Sequence, residues 1–124
     1  MHIVISNAVN QPIYGQIYRQ IKNSILSGEL KAGDMLPSIR SLAKDLRISV
    51  ITTKRAYDEL EKDGYIDVVA AKGCYVAENN LAWIREAHLK QLEEHLRSVK
   101  ELAVSCGLTE TEIIKMYRLL EKDE

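Results

Sequence analysis

The residues best equipped for chemistry in this chain are hydroxyls and cations gathered in a short span. They are Ser38 and Arg40, then Ser49, Thr52, Thr53, Lys54 and Arg55, and further on Lys72 beside Gly73. Their chemistry is hydrogen bonding to base edges and anionic oxygens. Ser49, Thr52, Thr53 and Lys54 crowd the first turn of a helical pattern, where the helix dipole favours phosphates and side chains approach base edges. Thr52 and Lys54 are the expected contacts. Either Thr53 or Arg55 joins them, because helical spacing turns one of the two toward the protein. Arg40 projects from the first turn of the preceding helical pattern toward a backbone phosphate, and Ser38 caps that helix. Lys72 at a hairpin tip reaches a minor groove or a phosphate, while Gly73 lets the chain turn tightly. Taken singly, each residue has an ordinary use as a cap or a solvated charge. Their order along the chain is what points to DNA.

Those positions need a scaffold, and the pattern around them supplies one. Leu36-Pro37 leads into a helix capped by Ser38, in which Ile39, Leu42, Ala43 and Leu46 face inward. A tight turn at Arg47-Ile48-Ser49 opens a second helix, anchored by Ala56, Leu60, Tyr57 and either Val50 or Thr53. Gly64 is a fitting left-handed stop. Tyr65 to Val69 and Cys74 to Ala77 read as strands joined by Ala70-Ala71-Lys72-Gly73. Helix, turn, helix and β-wing is a shape that fits a major groove and straddles the adjacent backbone. Upstream, Pro12 suits a first helical turn. Ile13, Ile17, Ile21 and Ile25, flanked by Tyr14, Tyr18 and Leu26, form an apolar stripe ending at Ser27-Gly28. Residues 3 to 10 are expected to form a short strand or arm, and Lys31 to Asp34 a turn.

From about Asn80 a long helix is expected, with Leu89, Leu92, Leu96, Val99 and Ala103 stepping by three and four, the coiled-coil interval. Gly107 ends it. Thr109-Glu-Thr-Glu112 is a capping box that opens a last helix with Ile113, Met116, Tyr117 and Leu120 on one face. A stripe on a two-helix hairpin cannot bury itself, and a second copy of the chain is the simplest cover. The expected fold is therefore α+β: a winged helix-turn-helix head over 10–78, then a short all-α two-helix dimerisation tail over 79–124. The stripe and the last helix's apolar face form the expected dimer interface.

Composition narrows the classes. With 124 residues, no Phe, one Trp and a net charge of −1, aliphatics and tyrosines must build the core. Near-neutrality argues weakly against nucleic acid, but the bases Arg40, Lys44, Arg47, Lys54 and Arg55 face only Asp45 between Ser38 and Tyr57, and acids accumulate afterwards. A basic face on a near-neutral molecule still supplies phosphate contacts, with modest affinity per subunit. No apolar run approaches the roughly 20 residues that span a bilayer. The N-terminus lacks a secretory pattern. Cys74 and Cys106 lie far apart in unlike contexts, so a reduced, cytoplasmic protein without a membrane partner is expected. Cys106, at a helix end, is expected to be a buried apolar thiol. His2, His88 and His95 follow no metal-ligand pattern, and no phosphate loop, nucleophile elbow or HExxH occurs, so neither enzyme nor cofactor is expected.

These residues also carry a family resemblance. Leu36-Pro37-Ser38, Arg40, Leu42-Ala43, Leu46, Ile48-Ser49, Thr52, Arg55-Ala56-Tyr57, Leu60-Glu61, Gly64 and Gly73-Cys74-Tyr75-Val76 resemble the signature of the GntR family of bacterial transcription regulators. Pro12 to Ile17 and Gly28 to Asp34 match as well, so the resemblance covers about residues 10 to 77. The short tail is similar to that of the YtrA-like subfamily. The resemblance implies a DNA-binding, dimeric regulator, a repressor of a transporter or similar operon; a two-fold dimer presenting two identical heads in turn predicts a near-palindromic double-stranded operator. The resemblance implies DNA contacts at Arg40, Ser49, Val50, Ile51, Thr52, Lys54, Lys72 and Gly73. Two positions depart from the common pattern: Val50 replaces a frequent Arg or Pro and Ile51 a frequent polar residue, and Ile51 suits a thymine methyl instead. Larger subfamilies add a ligand domain that is not expected here, so no dedicated small-molecule effector pocket is implied. The rival class is a winged-helix protein-interaction module that does not touch DNA.

Overall fold

The computed structural model describes residues 1–8, 10–78 and 81–120. Asn79 and Asn80, where the domain boundary and the start of the long helix were expected, lie outside them, as does Val9 of the expected arm. Among the described residues the order is α1 (Ile13–Ser27), α2 (Ile39–Leu46), α3 (Val50–Lys62), β1 (Ile66–Val69), β2 (Gly73–Val76), α4 (Leu81–Cys106) and α5 (Glu110–Leu120). The chain divides into two compact units, Met1–Arg85 and Glu86–Glu124.

In the first unit, α1 starts after Pro12 and stops at Gly28, whose φ of 87° only glycine adopts without strain. Its Ile17, Ile21 and Ile25 are buried with Leu36, Leu42, Ala56, Tyr57, Leu60, Tyr65, Ile66 and Val76, and Leu81 and Ile84 of the first turn of α4 pack against this cluster. Each such aliphatic contributes about 1.5–3 kcal/mol on burial. β1 and β2 pair antiparallel with Ile66 opposite Val76 and Val69 opposite Gly73. The segment before α2 adds a bridge that the sequence did not signal. Met35 pairs with Tyr75, Leu36 N–H donates to Cys74 O (2.8 Å) and Val76 N–H to Asp34 O (2.8 Å). The wing is thereby stitched to the approach of α2.

The N-terminal residues form an arm, not a strand. Gln16 accepts from Ser6 N–H (2.9 Å) and donates to Ser6 O (2.9 Å) and Gln11 O (3.1 Å). Gln20 accepts from Val4 N–H (3.0 Å) and donates to Val4 O (2.8 Å). The match is geometric. Two glutamines one turn apart rise about 6 Å along a helix, and alternate residues of an extended chain span about 6.6 Å. Two side-chain amides thus imitate the edge of a sheet.

In the second unit, Gly107 ends α4 with φ 69°. The capping box forms as expected: Thr109 N–H donates to Glu112 Oε1 (3.0 Å) and Glu112 N–H to Thr109 Oγ1 (3.3 Å). The Thr109 N–H and a further bond from the Thr109 hydroxyl to Glu112 Oε1 (3.0 Å) hold the Glu112 carboxyl below its usual pKa. No described residue of α4 or α5 is buried. Leu89, Leu92, Leu96, Val99, Met116, Tyr117 and Leu120 are exposed, and Ala103 and Ile113 are half-buried. Cys106 corrects its expectation: it is exposed, because no described residue of this unit covers that side of the helix, whereas Cys74 is buried.

Candidate nucleic-acid interface

Serine caps start both helices of the motif, Ser38 at α2 and Ser49 at α3. Ser38 Oγ accepts from Ser41 N–H (3.0 Å), and Ser49 Oγ accepts from Thr52 N–H (3.0 Å). Each leaves its residue extended and starts a helix. Between them Arg47 adopts the left-handed region at φ 58°, and Ile48 N–H returns to Ala43 O (3.0 Å), closing α2 within one residue. Buried Tyr57 then donates to Pro37 O (2.8 Å), tying the middle of α3 to the entry of α2. Burial pushes its phenol well above the usual range, so it remains a donor.

This frame sets the register of α3. Thr53, Ala56, Tyr57 and Leu60 are buried, leaving Val50, Ile51, Lys54, Arg55 and Asp58 on the exposed side and Thr52 at its margin. The alternative between Val50 and Thr53 as helix anchor resolves to Thr53. As a DNA contact Thr53 is corrected: its side chain is 0% exposed, and its hydroxyl donates to Ser49 O (3.1 Å). The cause is helical periodicity, since Thr53 shares a face with Ala56 and Leu60. Arg55 is the member of that pair that turns outward. Ile51 is 82% exposed, an apolar side chain held in water at the tip of the helix.

The hydroxyls and charges are already oriented. Ser49 Oγ donates to Thr52 Oγ1 (2.7 Å), leaving the Thr52 hydroxyl proton for an outside acceptor. Lys54 Nζ lies 2.7 Å from Asp58 Oδ2. That hydrogen bond and the Asp58 charge raise the lysine pKa. Reading the acids as beginning after the basic stretch missed this pair, although its i, i+4 spacing on a helix was the available signal. Arg55 stacks on Tyr14 of α1, with its guanidinium carbon 3.8 Å from the ring centroid and Nη2 donating to the phenol oxygen (3.2 Å). Arg40 is exposed in the first turn of α2.

At the wing, Ala71 is left-handed (φ 64°) and Gly73 has φ 123°. Lys72 N–H donates to Val69 O (3.0 Å), and Tyr75 donates its hydroxyl to Lys72 O (3.1 Å), so the turn carrying the exposed Lys72 is fastened at both ends. Among the described residues no cluster of three or more His, Cys, Asp or Glu is arranged to hold a metal ion. No described helix is long and apolar enough to cross a membrane.

Comparison with known proteins follows this geometry. Residues 13–76 match the family described as bacterial regulatory proteins, gntR family. The chain is 32% identical over 120 residues to the HTH-type transcriptional repressor YtrA of Bacillus subtilis, covering 97% of this chain and 90% of that protein. A transcriptional regulator from Oenococcus oeni superposes with a TM-score of 0.71 at 28% identity, covering 97% of this chain and 96% of that one. YtrA from Sulfolobus acidocaldarius, a GntR-family transcription factor, superposes with a TM-score of 0.57 at 33% identity, with 97% of both chains covered.

Proposed function

The chain belongs to the GntR family of bacterial regulatory proteins, and on that premise we propose that it is a sequence-specific DNA-binding transcription regulator acting as a homodimeric repressor. The observation that carries the reading is the first turn of α3. Ser49, Val50, Ile51, Thr52 and Lys54 stand together on its open side, and the opposite face is locked into the core. In this reading α3 enters the major groove. Thr52 and Lys54 read base edges, Ile51 packs on a thymine methyl, and Val50 adds apolar contact. Ser49 and Arg40 take phosphates, with Ser38 fixing the helix from which Arg40 projects. Lys72 and Gly73 bring the wing to the neighbouring backbone.

The apolar stripe of the second unit supports a dimer. Leu92 and Leu96 are 55% and 54% exposed in one chain, and exposed leucines at heptad spacing are the knobs of a helix pair. A two-fold dimer presents two identical heads, hence a near-palindromic operator. Likeness to a relative named as a transcriptional repressor supports repression, and we extend the proposal to a cytoplasmic protein acting on a transporter or similar operon.

The test is a gel shift across a salt series with an operator selected from random duplexes. Affinity should fall steeply as salt rises, because bound phosphates release counterions. Arg40→Ala should weaken operator and random duplex by similar factors and flatten the salt slope by about one. A protein that retards no duplex at any salt concentration is instead an interaction module, the use that a net charge of −1 would suit.

A further inference from the structure

We infer that Tyr14 is a positioning residue for DNA contact, its ring holding Arg55 ready to grip a phosphate at the side of α3. The inference rests on the DNA-binding reading above and adds a residue from a different helix to it.

Two cations stand next to each other on the exposed side of α3, and they are held in opposite ways. Lys54 is paired with Asp58 at 2.7 Å, so its charge is offset within the protein and must be released before it serves a ligand. Arg55 lies 3.8 Å from the Tyr14 ring centroid, and among the described residues no carboxylate pairs with it. A ring face attracts a guanidinium without neutralising it. Of the five N–H donors on a guanidinium, one is used on the Tyr14 hydroxyl and the others stay available for anionic oxygens.

The anchor itself is firm. Tyr14 follows Pro12 and Ile13 in the first turn of α1, half-buried against the core, and α1 is locked through Ile17, Ile21 and Ile25. Stacking draws Arg55 sideways from the axis of α3 onto another helix. That direction suits the wall of a groove, where phosphates lie, better than its floor. A long side chain normally loses rotamer freedom on binding, and holding it beforehand is worth about threefold to tenfold in affinity.

The experiment measures binding of the full chain to its selected operator and to a scrambled duplex over a salt series. Arg55→Ala should weaken both to a similar extent and lower the salt slope by about one. Tyr14→Leu should weaken both by about threefold to tenfold while keeping the slope. It should have no further effect once Arg55→Ala is present. Arg55→Lys, an exposed change that leaves the core untouched, should reproduce Tyr14→Leu, because it keeps the charge and loses the planar stack. Equal losses from Tyr14→Leu with and without Arg55 would mean that Tyr14 acts on its own or only through folding, and the inference would fall. Wild-type affinity in Arg55→Lys would also overturn it. Absence of salt-dependent binding by the wild type would instead remove the DNA-binding reading itself.

Discussion

Adjacent threonines give the sharpest test of the register of α3, because Thr52 and Thr53 should respond oppositely to the same change. Thr53→Val replaces a fully buried hydroxyl by a methyl. The lost bond is the 3.1 Å contact to Ser49 O, an oxygen that still accepts the Thr53 N–H at 3.2 Å. No acceptor is orphaned, so the cost is about 0.5–1 kcal/mol at most. Thr53→Ala also opens a small cavity and should cost about 1–2 kcal/mol. Neither should change operator affinity by more than about twofold, under the ~1 kcal/mol that even a modest base contact supplies. Thr52→Val removes a half-exposed hydroxyl whose neighbour Ser49 can turn to water, so stability should move by less than about 0.5 kcal/mol. Operator affinity should fall by about 1–3 kcal/mol, with random duplex less affected. Urea unfolding gives the first quantity and fluorescence anisotropy on both duplexes the second. If Thr53→Val weakens operator binding several-fold at unchanged stability, or Thr52→Val leaves discrimination intact, the recognition face has been assigned to the wrong side of α3.

Two further outcomes follow from the arm and the tail. Gln16→Ala removes three hydrogen bonds that hold Ser6 and Gln11 and should cost about 2–4 kcal/mol. Amide exchange should show the Ser6 N–H unprotected, and protection equal to wild type would mean that Gln20 and the packing of Ile3 and Ile5 hold the arm without Gln16. Leu92→Asp combined with Leu96→Asp places charge on side chains that are exposed in one chain, so the monomer should keep its helical signal while sedimentation shifts from dimer to monomer. A dimer that persists in this variant would move the interface away from the stripe.

Legibility in the sequence tracks how local each feature is. Pro12, Gly28, Ser38, Ser49, Gly64, Gly107 and the Thr109–Glu112 box act within a turn of chain, and the elements begin and end where these residues place them. The isoleucine stripe of α1 and the inward face of α2 are equally local, repeating at helical spacing. What escaped depends on pairing across the chain. The Met35–Tyr75 bridge lies on a segment with no strand alternation, and its bonds come from Leu36 and Val76 backbone groups that any residue carries. Gln16 and Gln20 look like ordinary polar helix positions until an extended arm lies against them. The Tyr14–Arg55 stack needs the packing of α1 on α3 before either residue becomes informative. Whether Thr53 or Arg55 faces out was a question of phase, which Tyr57 decides by reaching Pro37.

The near-neutral charge and the proposed function are reconciled by the same side chains. Asp58 offsets Lys54 within the face expected to meet DNA, which should weaken attraction to any duplex on which that pair does not open against a base edge, while Ile51 and Thr52 add selectivity without charge. On the proposed reading such a head should bind non-specific DNA poorly, and one head alone should bind its own site only modestly. Joining two heads makes the second engagement intramolecular, so affinity rises by about 10²–10⁴ only where two half-sites sit at the right spacing. For such a proposed dimer, specificity resides in the spacing as much as in the bases. On the proposed reading the exposed leucines of the tail and the paired lysine of α3 belong together: a face too weak to act singly calls for the second copy that the stripe is proposed to recruit.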